Sequence, residues 1–384
     1  MSAASSSHLD HSRNSTAAFI RFRPTESHLR IAGLSLLDRQ LVALYRGGCT
    51  SITIVAQESV QIPERARAIG IPIRMAPTLT VSEGRCLVVD GSVFLETHDV
   101  IALRQGASNL LDDQGHWLDA KSIENRSEFQ STDIQPSHPK RPRSQNTTRA
   151  REMRSQEAAT RLEKELLSST LSQGDGIVDR VFNRPLSRQL TQRLWNKGTS
   201  PNLVSIVSIA IGLISAFFLS TSRLELGILG ALLFQLSAII DCTDGDLARL
   251  QFKESQLGKW LDLVGDQVVH IAVFVGIGLG LLSEDRSLAI SLLTGSAVLG
   301  AVLAFASVLW AHRRTHKNAR LDQFIQRTAN RDFSVIVLVL ACLDRLIVFA
   351  WLVGIGIHVY WICIVFLGLR PHPPASSTPS QCAT

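Results

Sequence analysis

Asp241, Asp244, Asp262 and Asp266 lie at neighbouring ends of two apolar stretches, where a membrane helix would otherwise be hydrophobic. A carboxylate at membrane depth is costly unless it lines an aqueous cavity or binds an ion, so several on adjacent spans mark a functional site. At about 3.6 residues per helical turn, Asp241, Asp244 and Ala248 share one face of one helix, and Gly258, Asp262 and Asp266 share a face of the next. Two facing pairs of carboxylates repel one another and shift their proton affinities upward unless a cation neutralises them. Hard divalent ions such as Mg²⁺ take oxygen ligands of this kind and are shared with substrate phosphates. The chemistry these residues suit is metal-assisted work on a phosphate ester.

The spacing from Asp241 to Asp266 is D-x2-D-G-x2-A-R-x8-G-x3-D-x3-D. It resembles the CDP-alcohol phosphotransferase family, whose signature it matches at all eight fixed positions. The resemblance implies an integral membrane transferase that moves a substituted phosphate from a CDP-alcohol donor to an acceptor hydroxyl, releasing CMP, in phospholipid or polyol-phosphate biosynthesis. It implies a two-ion site, Mg²⁺ or Mn²⁺, held by Asp241, Asp244, Asp262 and Asp266. Asp262 and Asp266 are then the catalytic residues, with Asp266 the general base. The donor is CDP-diacylglycerol or a CDP-polyol, and the acceptor is an alcohol or polyol phosphate. A homodimer in the lipid bilayer is expected, with no nucleic-acid partner.

Small side chains at Gly245 and Ala248 let a nucleotide or pyrophosphate approach the helix backbone, and Gly258 permits close helix approach. Arg249 offers a guanidinium fork that matches phosphate oxygens. Asn202 follows Ser200 and Pro201 in a segment resembling a Thr-Pro-Asn run of the family, where it faces the nucleotide or caps the helix. By the same resemblance Arg331 holds an acceptor phosphate or serves as a positive-inside anchor.

These residues must be positioned by membrane helices. The chain is 45% hydrophobic, and nearly all of its long apolar runs come after Asn202. Windows of about 20 apolar residues predict spans at 202–220, 224–242, 259–283, 287–311, 333–347 and 348–369. Asp344 and Arg345 interrupt the last run, as an outside turn or as a charged pair in one kinked helix; six spans fit the charge pattern better. Arg184, Arg188, Arg193 and Lys197 precede the first span, Lys253 follows the second, and Arg313, Arg314, Lys317, Arg320, Arg327 and Arg331 follow the fourth. The positive-inside rule places these flanks, both termini and the active site in the cytoplasm, in a multi-pass cell (inner) membrane protein. The polar start MSAASSSHLDHSRNS has no apolar core, so the first span is expected to direct insertion. The six cysteines show no paired spacing, and neither a disulfide framework nor a zinc site is suggested.

The fold class expected is therefore an α-helical integral membrane protein with six transmembrane helices, preceded by a small cytoplasmic α/β domain. Residues 29–110 alternate helical and strand patterns and resemble a degenerate nucleotidyltransferase-like domain. No Gly-rich phosphate loop stands in FIRFRPTESHLRIAGLSLL, so it is read as non-catalytic, and Asp90 in VVDGS is read as turn chemistry. Residues 1–28 are expected to be disordered, 111–174 a linker with a connecting helix, 175–198 an interfacial amphipathic helix, 199–370 the six-span domain, and 371–384 a disordered tail. The alternatives are a bifunctional enzyme whose N-terminal domain also makes the CDP-alcohol, and a cation-coupled transporter. The transporter gives no reason for the Asp-Gly, Ala-Arg and Gly spacing.

Overall fold

The computed structural model describes residues 16–22, 29–78, 86–105, 109–111, 117–118, 120–123, 147–153, 155–170, 176, 179–313, 321, 324–325 and 333–369. The chain divides into two units, Met1–Leu166 and Leu167–Thr384.

The first unit is built on apolar, β-branched runs. β1 (Thr16–Arg21), β2 (Cys49–Val55), β3 (Ile73–Ala76) and β4 (Cys86–Asp90) are parallel, and β5 (Ala120–Ile123) is antiparallel to β4, in the order β5-β4-β1-β2-β3. Strands covered on both faces read as continuous hydrophobic runs, and Ile20, Ile52, Ile54 and Leu87 are fully buried. α1 (Leu36–Arg46) starts where Ser35 Oγ accepts the Asp38 N–H at 3.1 Å; α2 (Glu64–Ile69) and α3 (Thr97–Arg104) follow. The sheet extends beyond the stretch whose rhythm is plain in sequence. Its central strand β1 lies upstream of residue 29, and β5 lies downstream of residue 110.

β1 pairs with β2 on one side and β4 on the other, so the winding reverses between β1 and β4, where open α/β sheets form a crevice. There Arg21 Nη2 donates to Asp90 Oδ2 at 3.2 Å, and Ser92 donates to Asp90 Oδ1 from its N–H at 3.1 Å and its Oγ at 2.8 Å. The Ser92 bonds are those of an aspartate closing its own turn. α4 (Gln156–Ser169) covers Ile31, Leu36 and Phe94 with Ala159 and Leu162, and Glu163 accepts the Ala32 N–H at 2.8 Å. The helix expected to connect the two halves is thus part of this unit's core.

In the second unit, α5 (Arg184–Leu194) is followed by α6 (Pro201–Leu219), α7 (Leu224–Leu250), α8 (Gln256–Glu284), α9 (Leu288–His312), α10 (Phe333–Cys342) and α11 (Leu346–Leu369). Five of these, α6 to α9 and α11, are long and apolar enough to cross a membrane. α10 has 10 described residues, or about 15 Å at 1.5 Å per residue, half of a hydrocarbon core of about 30 Å. Asp344, at φ 55°, lies in a turn that separates α10 from α11, so the charged pair does not sit inside one long helix.

Close contacts hold these helices together. A Cβ on Gly276 of α8 would stand 2.4 Å from the Ala216 carbonyl of α6, so only glycine allows that crossing. α9 is tied to α11 by polar side chains: Ser296 Oγ donates to the Gly354 carbonyl at 2.8 Å, and His358 Nε2 lies 3.0 Å from the same Oγ. Trp361 Nε1 donates to His358 Nδ1 at 3.0 Å. His358 is a hydrogen-bonded packing residue. Leu203, Ile206 and Phe217 of α6 and Trp351, Ile355 and Phe366 of α11 are exposed, as large apolar side chains are on the outside of helices built to cross a membrane.

Candidate active site

α7 and α8 are joined by residues 251–255, and Ser255 Oγ accepts the Gly258 N–H at 2.9 Å to start α8. This short connection sets the last turns of α7 beside the first turns of α8. Asp241, Asp244 and Asp262 each present an oxygen, all within 4.8 Å of one another. Asp241 and Asp244 are buried and Asp262 is exposed, so the cluster is open on one side. Ser205 Oγ of α6 donates to Asp244 Oδ2, which aims that carboxylate.

The donor set is all oxygen and all anionic, which suits a hard divalent ion such as Mg²⁺ or Mn²⁺. Three carboxylates this close repel one another unless a cation or protons neutralise them. The residues fit the metal.

Around the cluster is a pocket of about 330 Å³. Its walls include Asn202 and Ser205 from α6; Asp241, Asp244, Gly245, Ala248 and Arg249 from α7; and Gly258 and Asp262 from α8. Of the residues singled out by spacing and resemblance, eight therefore come together. Asp266, half-buried one turn further along α8, is outside the cluster of three and does not line the pocket. Arg331 lies outside the described residues.

Packing asks for glycine at one place here. A Cβ on Gly258 would lie 2.9 Å from Asn202 Oδ1 and 3.0 Å from Ser255 Oγ, so its absence lets the start of α6 meet the start of α8. A Cβ on Gly245 would stand 3.5 Å from Arg249 Nη2, an ordinary contact, so the packing itself does not demand glycine there.

Sequence reasoning missed several wall residues, among them Arg184, Ser205, Lys253 and Lys259. It also missed Asp246, whose side chain is fully buried. Asp246 Oδ1 accepts from Arg184 Nη1 at 3.0 Å and from Arg249 Nη2 at 2.9 Å. The signal was present. Asp246 lies about 200° around the helix from Asp244, and an acidic residue on the back of a membrane helix must find a cation.

Helices long and apolar enough to cross a membrane thus bring carboxylates, guanidiniums and small residues together around one pocket. Residues 198–362 match the family model described as CDP-alcohol phosphatidyltransferase. The chain is 35% identical over 130 residues to a "Bifunctional IPC transferase and DIPP synthase" of Thermococcus kodakarensis, covering 34% of this chain and 28% of that protein. It is 38% identical over 121 residues to the protein of the same name in Rubrobacter xylanophilus, covering 31% and 27%. It is also 31% identical over 97 residues to the archaetidylinositol phosphate synthase of Pyrococcus horikoshii, covering 25% of this chain and 50% of that protein. The matched stretch thus spans between about a quarter and a half of these relatives.

Proposed function

We propose that the protein transfers the phosphate-linked alcohol of a CDP-alcohol to the hydroxyl of an alcohol or polyol phosphate, with release of CMP. The observation that carries this reading is the approach of Asp241, Asp244 and Asp262 to within 4.8 Å beside Gly245, Ala248 and Arg249 in one pocket. Asp241, Asp244 and Asp262 would hold the divalent ions, with Asp266 completing the set from the next turn of α8, and ions bound there would supply charge stabilisation for the pyrophosphate and the departing CMP oxygen.

The chain's own residues position the reactants, which is most of what phosphoryl transfer requires. Asn202, Gly245 and Ala248 receive the cytidine and pyrophosphate against the helix backbone. Arg249 donates to phosphate oxygens, and Gly258 keeps Asn202 in place. The acceptor oxygen bonds to the phosphorus that carries the donor alcohol, the bond from that phosphorus to the CMP oxygen breaks, and CMP leaves with the electron pair. Asp266 takes the proton of the acceptor hydroxyl. Arg331 receives the acceptor's phosphate. The relative named archaetidylinositol phosphate synthase favours an inositol phosphate as acceptor.

In this reading α10 is the core of a sixth span, both termini and the pocket face the cytoplasm, and the domain works as a homodimer in the cell membrane. The first unit is non-catalytic: its sequence has no Gly-rich phosphate loop, and Asp90 is bonded to Arg21 and closes its own turn with Ser92. The bifunctional names of two relatives favour a second reading, in which this unit makes the CDP-alcohol from CTP. Membranes carrying the full chain, given Mg²⁺ and a panel of CDP-alcohols and acceptors, are expected to release CMP. No CMP from any pairing would overturn the first reading, and CDP-alcohol formed from CTP and an alcohol phosphate would establish the second.

A further inference from the structure

Among the described residues, α5 and its flanks meet α7 through four polar pairs. Gln235 Nε2 donates to Asn183 Oδ1, Thr243 Oγ1 lies 3.5 Å from the Ser187 carbonyl, and Gln251 Nε2 donates to the Trp195 carbonyl at 2.7 Å. These three are neutral, and none of their residues lines the pocket. The fourth is the ion pair between Arg184 and Asp246, and Arg184 is a pocket wall.

Docking does not require that charge. Three neutral contacts already fix the helix, and a buried ion pair can generally be replaced by apolar packing without loss of stability. The pairing also reaches the pocket. Asp246 Oδ1 accepts from two guanidiniums, Arg184 and Arg249, and both of these line the pocket that holds the three clustered carboxylates. A planar guanidinium held by a carboxylate on one edge is pre-organised to donate to phosphate oxygens.

We infer that Arg184 binds a substrate phosphate and that Asp246 is the positioning residue that holds Arg184 and Arg249 at a fixed spacing for it. This rests on the phosphotransferase reading and extends its site to a helix outside the signature. The phosphate is either the donor's pyrophosphate or the acceptor's phosphate.

The test uses full-length protein in detergent, with Arg184→Met, Arg184→Lys, Asp246→Asn and the double variant Arg184→Met/Asp246→Asn. Melting temperature controls for folding. Arg184→Met is expected to raise the KM of one substrate about 10- to 100-fold, the range for a hydrogen bond between charged groups, with a smaller fall in kcat. Arg184→Lys recovers part of the loss, because the charge remains and the fork does not. A rise confined to the donor, with weaker inhibition by inorganic pyrophosphate, assigns the pyrophosphate. A rise confined to the acceptor, with weaker inhibition by inorganic phosphate, assigns the acceptor.

The double variant removes the ion pair and separates binding from docking. It is expected to melt near the wild type and still show the raised KM. Wild-type KM in a well-folded Arg184→Met protein, or full recovery in the double variant, would overturn the inference and leave Arg184 a docking residue. Calorimetric titration with magnesium pyrophosphate and with inorganic phosphate reads the same site without turnover. If the wild type binds one of these anions but releases no CMP, the reaction reading fails while Arg184 remains testable; if Arg184→Met binds both as the wild type does, the inference fails.

Discussion

Asn202 Oδ1 stands where a methyl group on Gly258 would come within 2.9 Å of it. The start of α6 and the start of α8 are thus fitted through one missing Cβ, and Asn202 lines the pocket. Gly258→Ala need not unfold the domain, because the atoms its methyl would crowd, Asn202 Oδ1 and, at 3.0 Å, Ser255 Oγ, are ends of side chains that can rotate away. The expected outcome is a stability loss of about 1 kcal/mol or less and a fall in CMP release of about tenfold or more, since displacing a group that positions substrate slows the reaction steeply. Thermal melts and turnover assays of the purified variant check both.

Replacing any one of Asp241, Asp244, Asp262 and Asp266 with asparagine is expected to abolish or nearly abolish turnover while the helices stay folded. Ion binding should separate them. Asp241, Asp244 and Asp262 already converge, so losing one of them weakens Mn²⁺ binding, read by electron paramagnetic resonance, more than Asp266→Asn does. EDTA is expected to stop CMP release and lower the melting temperature, because repulsion among the carboxylates is then uncompensated. Wild-type Mn²⁺ affinity in Asp262→Asn would refute the metal assignment.

The orientation can be read by labelling single cysteines in a cysteine-free background. Arg313 caps the end of α9, and Asp285 follows α8 at the other end of the bundle. Arg313→Cys is expected to react with an impermeant maleimide only after the cytoplasmic face is opened, and Asp285→Cys from outside. Reversal would place the pocket on the face away from nucleotide supply.

Burial pushes the Cys49 thiol from 9.0 up to about 11, against a lowering influence from Arg104. At pH 8 it is protonated and shielded, so a thiol reagent is expected to modify it only as the first unit unfolds. Because the folded value lies above the unfolded one, the thiol's contribution to stability is present below pH 9 and is lost as pH rises through about 11. Denaturant titrations of Cys49→Ala and wild type should show a shallower decline with pH for the variant over that window.

A chain starting at about Gln173 keeps α5 and every membrane-length helix, and is expected to release CMP from a supplied CDP-alcohol. One starting at Lys197 lacks Arg184 and the other α5 contacts with α7, and is expected to be inactive. Inserted protein of the first kind without turnover would mean that the α/β unit takes part in the reaction.

Much of the site was legible because its chemistry requires unusual residues in an apolar setting. Carboxylates cannot lie idle on membrane helices, and helical periodicity alone puts Asp241 and Asp244 on one face. Arg184 was legible only as a flanking charge, since its partner lies 62 residues away and nothing local reveals the pairing. The α/β unit was legible where strands and helices alternate, and not at β1, whose central place depends on pairing with β2 and β4. The short α10 departs from its hydropathy window because Asp344, in a left-handed turn, ends the run before the apolar residues do.

The polar back of α7 has a consequence for how the protein is made. α5 precedes α7 in the chain, so during synthesis Arg184 is made before its partner Asp246 exists. Only when the end of α7 is in place can Asp246 receive it, and only when the start of α8 has followed are Gly258 and Asp262 added. The pocket is therefore assembled from pieces made at different times, and a nascent chain that ends with α7 holds its arginines but not its full set of carboxylates.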